Sequence, residues 1–129
     1  MKHILILLVA VFSMSLQAQD SKKETLEAKE KSSKSILVVT GLPDSNESEA
    51  MAYYSERAKK LFAEAGGKPI SKYKVKEQLY GNHSAALVFI AEFPSDQAIK
   101  NFFNSKAYKA ILPYRNKAFK SLNIYIVNQ

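Results

Sequence analysis

Two adjacent glycines, Gly66 and Gly67, divide the segment from residue 35 to residue 129 into two halves with the same order of patterns. Each half predicts a strand, an amphipathic helix and a second strand. In the first half, residues 36–40 form an apolar, mostly β-branched run, and residues 49–65 carry apolar side chains at spacings of three and four. The glycines then end the helix, as a glycine C-cap does. The repeat restricts the chain to folds that pair two such halves.

After the glycines, an alternating segment at residues 70–80 completes the first strand-helix-strand unit and predicts an edge strand whose lysines face water. Residues 85–93 are apolar on both faces and predict a central strand. Ser95 is suited to cap the helix that follows. A further short helix is expected over residues 107–119, with Pro113 at a break or in its first turn, and a last alternating strand over residues 122–127.

The predicted order is strand, helix, strand, strand, helix, strand. This βαββαβ order is that of the ferredoxin-like fold, an α+β fold with a four-stranded antiparallel sheet. Its first and third strands occupy the centre of the sheet, and these are the two strands that are apolar on both faces. Helices cover only one face of such a sheet, so the other apolar face needs a partner. We expect that partner to be a second copy of the chain, with the two sheets packed face to face.

The first residues have the pattern of a secretory signal peptide. Lys2 and His3 form a short basic region, residues 4–12 are an unbroken apolar run, and Ala18 completes a small-residue cleavage site. The run is shorter than the roughly 20 residues that a membrane-spanning helix needs, so no stable membrane span is expected. We therefore expect an exported protein, periplasmic or extracellular, that begins at Gln19.

Three regions follow from these patterns. Residues 1–18 are the signal peptide, and residues 19–34, rich in lysine, glutamate and serine, are expected to form a polar disordered tether. Residues 35–129 form the folded domain. The chain has no cysteine, which excludes stabilisation by disulfides.

The net charge of +7 comes from scattered lysines, with only two arginines, Arg57 and Arg115. Nucleic-acid-binding surfaces usually cluster arginine and lysine on one face. We therefore interpret the charge as a solvated surface and expect no nucleic-acid partner.

The domain resembles the family called domain of unknown function 1330. The residues that carry the resemblance run from the first predicted helix to the short one, and the spacing is most specific at its end: Tyr54, Gly66, Gly67, Gly81, Phe93, Pro94, Ser95, Ala98, Ser105, Tyr108, Pro113 and Arg115. The resemblance implies a dimeric α/β barrel of the ferredoxin-like kind. It also implies a superfamily that contains small cofactor-free monooxygenases, isomerase-like, dehalogenase-like and haem-degrading enzymes, and proteins with no known reaction.

Four residues are candidates for a ligand-binding site: Tyr54, Glu92, Tyr108 and Arg115. A guanidinium at Arg115 can hold a carboxylate or enolate oxygen by a bidentate hydrogen bond, or it can pair with Glu92 or a helix end and be structural. Glu92 is the only acid in an otherwise apolar strand. It is either a buried general acid or base, or a solvated carboxylate.

His83 lies in a predicted turn, where an exposed histidine is the ordinary interpretation and a haem ligand or general base the alternative. The sequence around it offers too few ligands for a metal site. No metal or other cofactor is predicted.

Two hypotheses for function remain. The first is a non-enzymatic dimeric module that binds a small apolar or acidic molecule or acts as an accessory protein of the cell envelope. The second is a cofactor-independent enzyme of the monooxygenase or isomerase type, with Tyr54, Glu92, Tyr108 and Arg115 in one pocket. The enzyme requires these four groups to converge, whereas the module does not.

Overall fold

A computed structural model describes residues 34–128. These residues form four strands and three helices in the order β1, α1, β2, β3, α2, α3, β4. Their bounds are Ser35–Pro43 for β1, Ser48–Glu64 for α1, Lys68–Lys74 for β2, Leu87–Phe93 for β3, Asp96–Asn104 for α2, Lys106–Ala118 for α3 and Phe119–Val127 for β4. The predicted signal peptide and all but the last residue of the predicted tether lie outside the described residues.

The strands form one antiparallel sheet in the order β2-β3-β1-β4. The first and third strands are therefore central, as predicted from their apolar character on both faces. In register, Leu37 of β1 lies opposite Ala91 of β3 and opposite Ile126 of β4. The predicted ferredoxin-like α+β fold is confirmed.

The local signals at the helix ends act as expected. The Ser95 hydroxyl accepts a hydrogen bond from the Ala98 amide at 3.1 Å and caps α2. Gly66 follows the end of α1 with a φ of +86°, which lies in the left-handed region that glycine adopts without strain. The Gly67 amide donates to the Phe62 carbonyl at 3.0 Å and closes the last turn.

The core lies between the helices and one face of the sheet. Because side chains alternate along a strand, Leu37, Ala91 and Phe93 point to this covered face, where each is at most 2% exposed. Helices α2 and α3 contribute the remaining members of the core cluster: Ile99, Phe102, Tyr108 and Ile111.

The opposite face of the sheet carries apolar side chains that none of the three described helices covers. Val38 and Ile90 are paired at its centre and are half-buried. Towards the edges, Tyr73 is 57% exposed and Tyr125 is 50% exposed. We call this surface the open face; it is the face for which the sequence predicts a second copy.

The second strand is shorter than predicted. Pairing with β3 ends where Lys74 meets Leu87, and the chain from residue 75 to residue 86 is irregular. Leu79 and Tyr80, predicted to continue the strand, are 88% and 97% exposed in this loop. The alternating pattern was misleading because alternation shows that a segment suits a strand, not that a neighbouring strand is long enough to pair with it.

The predicted break at Pro113 is also wrong, because α3 continues through this residue. Pro113 is exposed. The carbonyl that loses its helical partner can therefore be hydrated, which lowers the cost of an internal proline. Tyr108, Ile111 and Ala118 are buried on either side of it, and their packing holds the helix together.

Candidate functional site

An apolar cavity of about 380 Å³ lies between α1 and the covered face of the sheet. Pockets for small molecules usually have volumes of about 300–1,000 Å³ and are mostly apolar. Most of the residues that line it are aliphatic or aromatic: Leu37, Val39, Met51, Tyr54, Ser55, Ala58, Lys59, Phe62, Pro69, Lys72, Leu87, Phe89, Phe102, Phe103, Phe119, Leu122 and Ile124. The cavity therefore suits an apolar molecule.

Aromatic rings form part of the cavity wall. The ring of Phe62 meets the ring of Phe89 edge to face at a centroid distance of 5.8 Å, and that of Phe102 at 6.2 Å. Such contacts hold rings in fixed orientations. Two glycines make this arrangement possible: Gly66 turns the chain, and a side chain at Gly67 would meet the Phe62 ring at 2.7 Å. The glycine pair that organises the sequence thus also shapes the cavity.

Two lysines mark where the cavity opens to solvent. Lys59 lies on α1 and Lys72 on the edge strand β2; both side chains line the cavity and both residues are exposed. Lys72 pairs with Phe89 in register and so shares the covered face with it. Among the described lining residues there is no carboxylate. The mouth of the cavity is therefore electropositive.

A chain of hydrogen bonds runs from the cavity wall to α3. The hydroxyl of Tyr54, a lining residue, lies 2.9 Å from the hydroxyl of Tyr108. Nη1 of Arg115 donates to the same Tyr108 oxygen at 3.2 Å. Because a guanidinium only donates, the Tyr108 oxygen is the acceptor there, and its own proton is available for Tyr54.

Burial raises the pKa of Tyr54 far above its ordinary value, and the neighbouring Tyr108 raises it further. Arg115 acts in the opposite direction and does not offset these effects. Tyr54 is therefore neutral near pH 7. It can donate or accept a hydrogen bond there, but it is not a general base.

The structure brings together three of the four predicted site residues and separates the fourth. Tyr54, Tyr108 and Arg115 form the hydrogen-bonded chain, but only Tyr54 lines the cavity among the described residues. Glu92 lies between the buried residues Ala91 and Phe93, so its side chain points to the open face. There its Oε1 pairs with Nζ of Lys34 at 2.9 Å. The idea that all four groups share one pocket is wrong, and so is the alternative pairing of Arg115 with Glu92.

Sequence reasoning missed the two lysines of the cavity mouth. The alternating pattern predicts that Lys72 faces water, and the register with Phe89 that places it beside the cavity cannot be read from the sequence. For Lys59 there was a signal: it stands four residues after Ser55 and three before Phe62, at the border of the apolar stripe of α1.

Metal-binding groups are not clustered in the described part of the chain: no three or more histidine, cysteine, aspartate or glutamate side chains come close enough to hold an ion. His83 is exposed in the loop between β2 and β3. None of the described helices is both long enough and apolar enough to cross a membrane.

The fold and cavity define a ferredoxin-like α+β domain with a small-molecule-sized apolar pocket. The chain belongs to the family described as Domain of unknown function (DUF1330), which it matches over residues 35–129. This confirms the resemblance seen in the sequence. Among curated proteins, none matches this sequence.

Solved structures with this fold include proteins with and without a suggested activity. A protein of unknown function from Rhodopseudomonas palustris is 18% identical with a TM-score of 0.63, over 84% of this chain and 92% of that one. A dimeric ferredoxin-like protein of unknown function from Bacteroides fragilis is 11% identical with a TM-score of 0.52, over 74% and 96%. A protein from Nitrosomonas europaea, provisionally named an antibiotic biosynthesis monooxygenase, is 8% identical with a TM-score of 0.54, over 74% and 89%. At these identities the likeness concerns the fold alone.

Proposed function

We propose that the protein is a small-molecule-binding module that holds a flat, apolar molecule in the cavity beneath α1. The observation that carries the proposal is the cavity itself, with a volume of about 380 Å³ and a largely apolar lining. Six of its lining side chains are aromatic: Tyr54, Phe62, Phe89, Phe102, Phe103 and Phe119. Rings of this kind stack well against a planar ligand.

The polar groups near the cavity support binding rather than catalysis. Tyr54 is a neutral hydroxyl whose orientation is fixed by Tyr108 and, through it, by Arg115. Such a hydroxyl can orient a ligand through one hydrogen bond. Glu92, the candidate acid or base, lies on the other face of the sheet and is not available to the cavity. The described lining therefore contains no pair of acid and base.

We also propose that the protein is a homodimer formed through the open face. Within residues 34–128, no helix covers the apolar side chains at the centre of this face, among them Val38 and Ile90. A second sheet would remove them from water. A protein with the same fold from Bacteroides fragilis is dimeric, which supports a dimer.

Export remains a proposal that rests on residues 1–18 alone, with their basic start, short apolar run and small-residue site. N-terminal sequencing of the protein from fractionated cells tests it. A mature chain that begins at Gln19 in the periplasm or medium supports export. Met1 retained in the cytoplasm or membrane contradicts it.

A matched pair of substitutions on α1 tests the binding function. Ala58 lines the cavity, whereas Ala63 is exposed on the same helix. We expect Ala58→Phe to fill the cavity and to weaken binding of the neutral fluorescent probe phenylnaphthylamine at least about tenfold. Ala63→Phe should bind it as the parent does. Native mass spectrometry of the protein from its source cells then shows whether a retained molecule is also lost from the Ala58 variant.

Circular dichroism and thermal melts show whether each variant is folded before its probe binding is compared with that of the parent. If Ala58→Phe does not fold, Ala58→Leu is the milder substitution, with an intermediate loss of affinity expected. Equal probe binding by folded Ala58 variants and the parent would contradict the proposal, because the probe would then bind elsewhere.

A second candidate is a cofactor-independent enzyme of the monooxygenase or isomerase type. The observation in its favour is the hydrogen-bonded chain from Arg115 through Tyr108 to Tyr54 at the cavity wall, since a hydroxyl held in this way can stabilise a developing oxyanion. The provisional name of the relative from Nitrosomonas europaea is consistent with it. Oxygen consumption or product formation that disappears in Tyr54→Phe, with ligand binding retained, would favour the enzyme.

A further inference from the structure

We propose that the ligand of the cavity is an anion, with its aromatic body among the phenylalanines and its anionic group at the mouth between Lys59 and Lys72. This rests on the proposed binding function and adds the chemical class of the ligand. The ligand is thus an aromatic carboxylate or a similar amphipathic anion.

The charges of the lining carry the argument. Lys59 and Lys72 are its two ionised groups, both cationic, while Tyr54 stays neutral because burial raises its pKa. A neutral ligand would leave these two ammonium groups without an opposite charge among the described residues that line the cavity. An anion at the mouth keeps its own hydration on the solvent side and gains two favourable interactions.

The location of the lysines explains why they suit a charged head rather than the body of the ligand. They come from different elements, α1 and the edge strand β2, and both are exposed while they line the cavity. Their long stems can pack along apolar surface with the ammonium group in water. The phenylalanine rings of the lining carry no charge, and Phe102, whose ring contacts that of Phe62, is 7% exposed. The charge of the lining is therefore confined to the two lysines.

The anionic group of the ligand is held by Lys59 and Lys72 and not by Arg115. The guanidinium of Arg115 donates to Tyr108 and, at 3.4 Å, to Oδ1 of Asn116, and it is not part of the described lining. Arg115 thus holds the hydroxyl chain in place from behind the cavity wall, whereas Lys59 and Lys72 contact solvent and ligand at its entrance.

Two fluorescent probes with the same aromatic framework test the inference. Anilinonaphthalene sulfonate carries one negative charge, and phenylnaphthylamine is its neutral counterpart. Both are titrated into protein purified from cells that express the full chain. We expect the sulfonate to bind about tenfold more tightly, because each exposed ion pair contributes up to about fivefold in affinity. Added salt should weaken the sulfonate and leave the neutral probe unaffected.

The matched variants remove two positive charges at different places. The double substitution Lys59→Gln and Lys72→Gln should abolish the preference for the sulfonate, measured as the ratio of the dissociation constants of the two probes. Lys100→Gln with Lys109→Gln, at exposed positions of α2 and α3 outside the cavity lining, should keep the preference. Net charge is the same in both double variants, so a general charge effect cannot produce the difference.

The possible outcomes separate this inference from the proposed function. If the parent binds both probes equally, or the mouth-lysine variant keeps the preference, the inference fails and the binding function stands. If the parent binds neither probe, or if Ala58→Phe weakens the binding of neither probe, the binding function itself fails. Sulfonate preference lost in the mouth-lysine variant and kept in its control supports both.

Discussion

Removal of the Tyr108 hydroxyl tests the internal hydrogen-bonded chain directly. Tyr108 is 1% exposed, and its oxygen takes part in two hydrogen bonds, to Tyr54 at 2.9 Å and from Arg115 at 3.2 Å. The substitution Tyr108→Phe keeps the ring and its contacts with Phe102 and Phe103. It therefore changes hydrogen bonding without creating a large cavity.

The expected loss follows from the two bonds. A neutral hydrogen bond contributes about 1 kcal/mol to stability, and one to a charged group about 1.5–3 kcal/mol. Arg115 is half-buried, so its N–H groups can bind water once the Tyr108 hydroxyl is removed. The contribution of its hydrogen bond is therefore at the lower end of that range, about 1.5 kcal/mol. We expect Tyr108→Phe to lower the free energy of unfolding by about 2.5 kcal/mol. For a domain of this size, that is a fall in Tm of about 10 °C.

Thermal and denaturant unfolding measure the effect, and two other variants complete the experiment. Tyr54→Phe removes only the bond between the two hydroxyls and should cost about 1 kcal/mol. Both single variants lose this same bond, and the double variant loses it only once. The stability loss of the double variant should therefore be about 1 kcal/mol smaller than the sum of the two single losses. Tyr114→Phe, an exposed position on the same helix, should change stability by less than about 0.5 kcal/mol.

Two results would refute the reasoning. If Tyr108→Phe unfolds at the same temperature as the parent, the buried hydroxyl does not stabilise the fold. If the stability losses of the Tyr54 and Tyr108 variants are fully additive, the two hydroxyls are not coupled. The hydrogen bond between them then does not form in solution.

Three further predictions concern charge, pH and assembly. Arg115→Lys should lower the free energy of unfolding by about 1 kcal/mol, because a lysine ammonium lacks the planar guanidinium that donates to Tyr108. Probe binding should stay unchanged. A loss of probe binding with an unchanged melting temperature would contradict this. The pKa of Tyr54 is raised in the folded protein, so the unfolded chain loses the Tyr54 proton first as pH rises. The free energy of unfolding should therefore fall above about pH 10 by up to about 1.4 kcal/mol per pH unit. Denaturant titrations that give Tyr54→Phe and the parent the same dependence of stability on pH would contradict this. Val38→Asp on the open face should convert the dimer to a monomer in light scattering while Ala63→Asp, on the exposed side of α1, should not; a monomeric parent would overturn the proposed assembly.

The sequence determined the order of the elements and much of their placement. Gly66 and Ser95 mark a helix end and a helix start in the structure as they did in the sequence, because caps depend on the chemistry of neighbouring residues. The central position of β1 and β3 was also predictable, since both strands carry apolar residues on both faces, as central strands do.

The tertiary structure alone decided which side chains form the site. Glu92 and Lys72 look alike in the sequence, as charged residues within strands, but register places Glu92 on the open face and Lys72 beside the cavity. A shift by one residue would exchange their faces, because strand side chains alternate with a period of two. Tyr54 and Arg115 meet through Tyr108 only because α1 and α3 pack together. Local patterns determine elements, whereas contacts between distant residues are fixed by how the elements pair and pack.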